Sequence, residues 1–201
     1  DRIGVAIGDA TGKGLSAAML ITECWSAVVA LVRDAASPAE LLARTNRALC
    51  SQVGDSGRFV TLFFMIVDMK EGVLRYAHGG HNPPVLVCKG RRGRRMLQCE
   101  SGLPLGVYPD CRYEDHTVNL APGDTVLLYS DGLTEARGSN DERYGEARLC
   151  ARLDDVAHLP VERVLDAVRY DVDRFLNGLD MTCRAGGTAV HSSRRHRHSP
   201  L

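Results

Sequence analysis

Phe59-Val60-Thr61-Leu62-Phe63-Phe64-Met65-Ile66-Val67-Asp68, followed by Lys70-Glu71-Gly72 and then Val73-Leu74-Arg75-Tyr76-Ala77, is the stretch on which the fold turns. Branched and aromatic residues crowd both runs and a charged, glycine-closed turn separates them, which predicts an antiparallel hairpin. Downstream, Val85-Leu86-Val87-Cys88 and Arg95-Met96-Leu97-Gln98 flank a basic, glycine-containing turn, and Thr125-Val126-Leu127-Leu128-Tyr129 follows the turn Ala121-Pro122-Gly123-Asp124. Upstream, Asp1-Arg2-Ile3-Gly4-Val5-Ala6-Ile7-Gly8-Asp9 reads as a strand already under way at the first residue, as in a piece excised or truncated from something longer.

Helical periodicity brackets these strands. Leu15 to Arg33 lacks Gly and Pro and predicts a buried helix. Ser37-Pro38-Ala39-Glu40 has the capping serine, first-turn proline and returning glutamate that start a second helix, which runs to about Ser51. Tyr144 to Leu153, and the stripe Val161, Val164, Leu165, Val168, Val172 and Phe175, predict two more, the last ending near Asn177-Gly178. Helices grouped at the ends and strands in the middle predict α+β with antiparallel sheet, since parallel βαβ units would alternate the two. Residues 184–201, with a His/Arg cluster and no apolar period, are expected to be a disordered tail.

The 201 residues suit one domain or at most a small pair. Lys+Arg and Asp+Glu number 25 each, so the charge is balanced, which argues against a protein that wraps nucleic acid or adheres to anionic membrane. The most apolar stretch, Leu20 to Val32, is interrupted by Thr22, Glu23 and Ser26, and no signal sequence or membrane span is predicted. Seven cysteines without a C-x-x-C pair indicate neither a disulfide framework nor a zinc site, and fit a reducing cytoplasm.

Two aspartates stand after apolar strands and before small, turn-forming residues: Gly8-Asp9-Ala10-Thr11-Gly12-Lys13-Gly14 and Tyr129-Ser130-Asp131-Gly132. A hard divalent cation such as Mg²⁺ or Mn²⁺ takes oxygen ligands and is usually held by one or two carboxylates plus waters and substrate phosphate. Strand-end aspartates beside glycines suit that need, although such residues also serve simply as turn formers. Cys88-Lys89-Gly90-Arg91-Arg92-Gly93-Arg94 has the C-x5-R spacing of cysteine-dependent phosphatases, but strand-like sequence on both sides predicts an ordinary basic hairpin, a solvated turn or a docking patch for an acidic partner.

In order along the chain, Gly8 to Met19, Ala77-His78-Gly79-Gly80-His81-Asn82-Pro83-Pro84, Gly102-Leu103-Pro104-Leu105-Gly106-Val107, Leu120-Ala121-Pro122-Gly123-Asp124 and Leu127 to Ala136 match successive motifs of one family. Over about residues 1–182 the chain resembles the SpoIIE/RsbU-type branch of the PPM (PP2C-like) serine/threonine phosphatases. The resemblance implies an antiparallel two-sheet β-sandwich flanked by helices, here truncated at its N-terminus and atypical at its C-terminus. It also implies a two-metal Mg²⁺ or Mn²⁺ centre hydrolysing phosphoserine or phosphothreonine on a protein. In such centres ions ~3.5–4 Å apart activate a bridging water and offset phosphoryl charge.

By the same carry-over Asp9 bridges both metals, the Ala10 carbonyl binds one and Asp131 the other. The family's last metal-binding Asp falls on Leu179, with Asp180 one residue later as the available carboxylate; a one-residue slip turns a strand side chain to the opposite face. Lys13 and His81 are candidate substrate contacts, the first otherwise an exposed lysine and the second otherwise a residue that pins the turn before Pro83-Pro84; Glu135 is expected to order the loop after Asp131. The expected substrate is a phosphorylated anti-sigma-factor antagonist of the STAS type. An upstream sensor domain is expected too, with Leu15–Arg33 and Ser37–Ser51 as a movable regulatory pair, and a homodimer is left open. Leu179 and the irregular C-terminus motivate the alternative, a binding or regulatory module on the same scaffold that has lost part of its metal site.

Overall fold

A computed structural model describes residues 2–89, 93–98 and 102–178. Leu179, Asp180 and the expected tail lie outside the described residues, as do Arg91 and Arg92 of the basic turn. The central hairpin forms as its sequence predicts: β2 (Val60–Asp68) pairs antiparallel with β3 (Val73–Gly79), and the Asp68 carboxylate accepts from the Lys70 and Glu71 amides in the turn. Two neighbours extend it, β1 (Arg2–Ala10) along β2 and β6 (His116–Asn119) along β3, giving the order β1-β2-β3-β6. A second sheet has the order β5-β4-β7, from β4 (Val85–Cys88), β5 (Gly93–Met96) and β7 (Thr125–Leu127). Cys88 stands opposite Gly93 and Arg94 lies in β5, so both ends of the C-x5-R spacing are strand residues, and among the described residues of that segment there is no helix N-terminus to activate the thiol.

Side-chain alternation sorts the residues into layers. Phe63, Met65, Leu74 and Tyr76 of the first sheet meet Leu86 of the second, with Val5, Ile7, Cys88 and Val126 packed at the margins. The even-numbered partners on β2, Leu62 and Phe64, face the other way onto Leu20, Cys24 and Val28 of α1 (Leu15–Leu31) and Leu41, Leu42 and Leu49 of α2 (Pro38–Val53). Val85, Val87 and Leu127 pack against α4 (Gly145–Val156) and α5 (Val161–Leu176). The result is the expected two-sheet sandwich flanked by helices. Each fully buried Leu or Phe contributes roughly 1.5–3 kcal/mol.

Three local expectations are corrected. The helix from Leu15 is not buried: only one stripe packs, and Leu15, Met19, Trp25 and Val29 are exposed because α1 lies on the surface of the sheet. β7 stops at Leu127, two residues short of the apolar run, because β4 offers partners only to Thr125, Val126 and Leu127. The short strand β6 was not anticipated; its pairing with β3 is non-local and its polar sequence lacks an apolar run. The start of α2 follows its sequence, with Ser37 Oγ accepting from the Glu40 amide at 3.2 Å, while the Glu40 carboxylate reaches Ala36 N at 2.8 Å.

A buried polar residue ties α2 to the segment beneath the first sheet. Asn46 is fully buried; its Nδ2 donates to the Tyr108 and Pro109 carbonyls at 2.7 and 3.2 Å, and its Oδ1 accepts from Gly106 N at 2.8 Å. That fixes a segment whose Leu105 exchanges two backbone hydrogen bonds with Val60, at the start of β2. Replacing Asn46 by Leu strands these backbone groups without partners, at about 1–3 kcal/mol for a buried polar group. Asn46→Leu is therefore expected to lower stability by roughly 2–4 kcal/mol in urea titration; a midpoint equal to wild type would show that the network carries no net stability.

Candidate metal centre

Asp9 is the next-to-last residue of β1 and has the parity of Val5 and Ile7, so its side chain leaves the sheet on the side of the inter-sheet layer, at the point where that layer opens to solvent. Opposite it in register stands Thr61, whose hydroxyl donates to the Asp9 carbonyl at 3.3 Å. Gly8 is required here by close approach: a Cβ would come within 2.6 Å of the Thr61 carbonyl. Beyond Ala10 the pairing ends in a clasp, with Thr11 N donating to the Phe59 carbonyl and Phe59 N to the Thr11 hydroxyl, both at 3.0 Å.

Asp131 follows a strand of the other sheet. After β7 the chain continues through Tyr129, whose side chain is buried against α4 with its hydroxyl donating to Glu146 Oε1 at 3.1 Å, and then enters a single helical turn, α3 (Asp131–Thr134). Asp131 therefore opens a helix instead of ending a strand, which corrects the sequence expectation. Its backbone carbonyl accepts from Glu135 N at 2.7 Å. Glu135 in turn accepts from Arg143 at 2.9 Å, consistent with ordering the loop.

Asp9, Ala10 and Asp131 line one cleft of about 400 Å³ together with Thr11, Phe59, Thr61, Gly80, His81 and Asn82. The structure thus brings together Asp9, Ala10, Asp131 and His81, four of the residues singled out from the sequence. Lys13 is not among the lining residues; it is exposed on the loop before α1. Thr61 and Asn82 were missed as lining residues, though the alternation of β2 places Thr61 on the same face as Phe63 and Met65. Gly80 holds φ +74°, and a Cβ there would meet Pro104 at 2.7 Å, so the two glycine-containing motifs at 79–80 and 102–106 pack directly on one another.

His81 is 4% exposed. Its carbonyl accepts from His78 Nε2, its Nδ1 shares a hydrogen bond of 3.0 Å with Thr61 Oγ1, and its Nε2 is buried without a hydrogen bond of regular geometry. Burial pushes its pKa down, opposed by the Tyr129 backbone and by the charges of Asp9 and Asp131. A nitrogen so enclosed does not offer itself to a protein substrate, and the turn-pinning role is the one these contacts describe.

The chemistry of the lining decides what fits. Two carboxylates share the cleft, no Lys or Arg lines it, and neither carboxylate has an ion-pair partner among the described residues. A bare phosphate would be repelled, whereas a hard divalent cation finds oxygen ligands and room to keep its waters. Among the described residues no group of three or more His, Cys, Asp or Glu side chains is placed to hold a metal, so protein carboxylates from Asp9 and Asp131 alone leave most of the coordination sphere to backbone, water and substrate.

Comparison with known proteins agrees with this architecture. Phosphoserine phosphatase RsbU of Bacillus subtilis is 31% identical over 140 residues, covering 70% of this chain and 41% of RsbU, so the chain spans less than half of that relative. The solved RsbU and RsbW domains of Rv1364c from Mycobacterium tuberculosis superpose with a TM-score of 0.72 at 26% identity, over 85% of this chain and 48% of that one. The SiaA-PP2C domain of Pseudomonas aeruginosa shares the fold with a TM-score of 0.73 at 22% identity, over 87% of this chain and 74% of that one. The sequence profile of Stage II sporulation protein E (SpoIIE) matches residues 1–182, and with the PP2C-like sandwich in place the chain belongs to the SpoIIE family.

Proposed function

We propose that this domain hydrolyses phosphoserine or phosphothreonine on a regulatory protein, with two Mg²⁺ or Mn²⁺ ions at the cleft. The observation that carries the reading is the meeting of Asp9, from β1, and Asp131, from α3, in a cleft with no compensating basic side chain. Asp9, the Ala10 carbonyl and Asp131 are the groups that would hold the ions, and Asp180 is the remaining carboxylate proposed for the set, on sequence position alone. When bound, such ions make coordinated water acidic and neutralise charge on phosphoryl oxygens. The chain's own contribution is placement. β1 and β2 fix the Asp9 backbone from one side, α3 presents Asp131 from the other, and the open mouth admits a phosphorylated side chain while the protein bearing it stays outside.

A phosphorylated anti-sigma-factor antagonist of the STAS type is the proposed substrate class, supported by the likeness to RsbU. Lys13, exposed beside the cleft motif, is proposed as a contact for the acidic phosphoprotein surface and not for the phosphoryl group. The domain is proposed to act in the cytoplasm under an upstream sensor. The alternative is a scaffold with a deficient metal site, favoured by Leu179 where the family carries its last ligand.

Activity separates the chemistries. Cleavage of a phosphoserine protein is expected to vanish in EDTA, return with Mn²⁺, and survive Cys88→Ser; loss in Cys88→Ser with indifference to EDTA would transfer the assignment to a thiolate mechanism. Asp9→Asn and Asp131→Asn are each expected to cut kcat by more than about 10³-fold while leaving the fold intact, because uncatalysed phosphate-monoester hydrolysis is among the slowest of reactions. Binding separates enzyme from scaffold. Mn²⁺ at a hundred times its Kd is expected to add about 2.7 kcal/mol to wild-type stability and nothing to Asp9→Asn; an unfolding midpoint indifferent to Mn²⁺ in the wild type favours the scaffold.

A further inference from the structure

Three apolar side chains crowd one loop beside the cleft. Leu103 is 52% exposed, Val107 40% and Tyr108 64%, all inside residues 103–108. Backbone contacts pin the segment that carries them to the cleft wall. Leu105 exchanges hydrogen bonds of 2.9 and 2.8 Å with Val60, and Val60 stands between Phe59 and Thr61, both of which line the cleft. A Cβ on Gly106 would lie 3.6 Å from the Phe59 Cα, and one on the cleft residue Gly80 would meet Pro104 at 2.7 Å. Leu103 and Val107 each lie two residues from Leu105, so at most about 7 Å of chain separates them from that pairing, and about 11 Å separates Tyr108. Asn46 holds the loop from behind, accepting from Gly106 N and donating to the Tyr108 and Pro109 carbonyls. The apolar surface is therefore exposed without being loose.

We propose that Leu103, Val107 and Tyr108 form a docking ledge for the polypeptide that carries the phosphoserine, gripping an apolar side chain next to it. The proposal rests on the phosphatase reading for the identity of its occupant. A cleft of about 400 Å³ takes a phosphoryl group and the side chain that bears it, so the flanking residues of the substrate lie against the rim. Single exposed apolar residues need no explanation, whereas a group of them on a fixed loop beside a site marks an interaction surface. A rigid surface costs little ordering when a partner binds, and aromatic anchors such as tyrosine dominate protein interfaces. The charge beside the ledge has the matching sign. Arg58, whose carbonyl would lie 3.3 Å from a Cβ on Gly106, is half-buried, donates from Nε to Ser56 Oγ at 3.1 Å and forms no ion pair among the described residues. Its guanidinium suits the dianionic phosphoserine or an acidic neighbour of it. The cleft then supplies the chemistry and the ledge the discrimination between phosphoproteins.

Two phosphoserine decapeptides serve as probes, one with leucine on both sides of the phosphoserine and one with glycine there, while p-nitrophenyl phosphate reports on the cleft alone. With Mn²⁺ present, the wild type is expected to hydrolyse the leucine peptide with a kcat/KM about 10-fold above the glycine peptide, chiefly through KM, as burial of one leucine-sized side chain gives. Leu103→Ser combined with Tyr108→Ser is expected to erase that preference, with the urea midpoint and the rate on p-nitrophenyl phosphate at wild-type values. Equal kcat/KM for the two peptides in the wild type, or a preference that survives the double substitution, overturns the ledge. A double variant that loses p-nitrophenyl phosphate hydrolysis in the same proportion as leucine-peptide hydrolysis also overturns it, since the loop then shapes the cleft and not the choice of substrate. The phosphatase reading fails separately. If the wild type hydrolyses none of these probes, fluorescence anisotropy of the labelled peptides replaces the rate: a leucine preference in binding that the double variant loses keeps the ledge on a binding module, and equal binding of the two peptides removes it.

Discussion

Two like charges in one cleft are the constraint around which this fold is arranged. Asp9 at the end of β1 and Asp131 at the start of α3, four residues past β7 of the second sheet, line a common space of about 400 Å³ and meet no lysine or arginine there. Two carboxylates without a basic neighbour favour a cation in the cleft. Backbone pairing holds the Asp9 side in place. β1 is zipped to β2 from Arg2↔Asp68 to Ala10↔Val60, and the last contacts before the loop are the Thr11–Phe59 clasp. A cation supplies the missing positive charge, so binding and the integrity of the cleft are thermodynamically linked.

The inter-sheet layer does the long-range positioning. Phe63 stacks on Tyr76 with centroids 5.4 Å apart, and Tyr76 on His116 at 5.3 Å, while Leu86 closes the layer from the second sheet. Because side chains alternate along a strand, the parity that buries Val5 and Ile7 also turns Asp9 toward the second sheet. The catalytic candidate is thus placed by the same periodicity that builds the core. A register slip of one residue would expose the core and withdraw Asp9 together, so selection for packing and for the site act on one variable.

What the sequence made legible follows from which signals are local. The β2–β3 hairpin, the Ser37 cap and the two late helices are local patterns, and each formed where its residues predicted. The meeting of Asp9 with Asp131 was legible only through the resemblance, because nothing in composition or spacing says which strand ends share an edge. Strand β6 and the helical turn at Asp131 escaped for different reasons. His116–Asn119 is polar and is held as a strand by its partner, and α3 is a single turn with no room for a period. α1 misled because apolar residues at helical spacings in a stretch without Gly or Pro read as a buried helix, while only the Leu20-Cys24-Val28 stripe is buried and Met19 is exposed. Lys13 was drawn into the site by adjacency in sequence, but the loop carries it outside the lining. Asp180 lies outside the described residues, so its one-residue offset rests on sequence position.

The two carboxylates are held in unequal ways, and this asymmetry bears on how the site works. Asp9 sits within a nine-residue strand paired along its whole length, with its carbonyl accepting from Thr61. Asp131 opens a four-residue helix whose own residues include none that are buried, and its nearest firm anchors are Tyr129 on one side and the Tyr144–Ala136 backbone bond on the other. Local stability follows the density of buried contacts and protected hydrogen bonds. On the proposed metal-centre reading, adjustment to a cation or to an incoming phosphoryl group would fall on the Asp131 side, with Asp9 as the fixed reference.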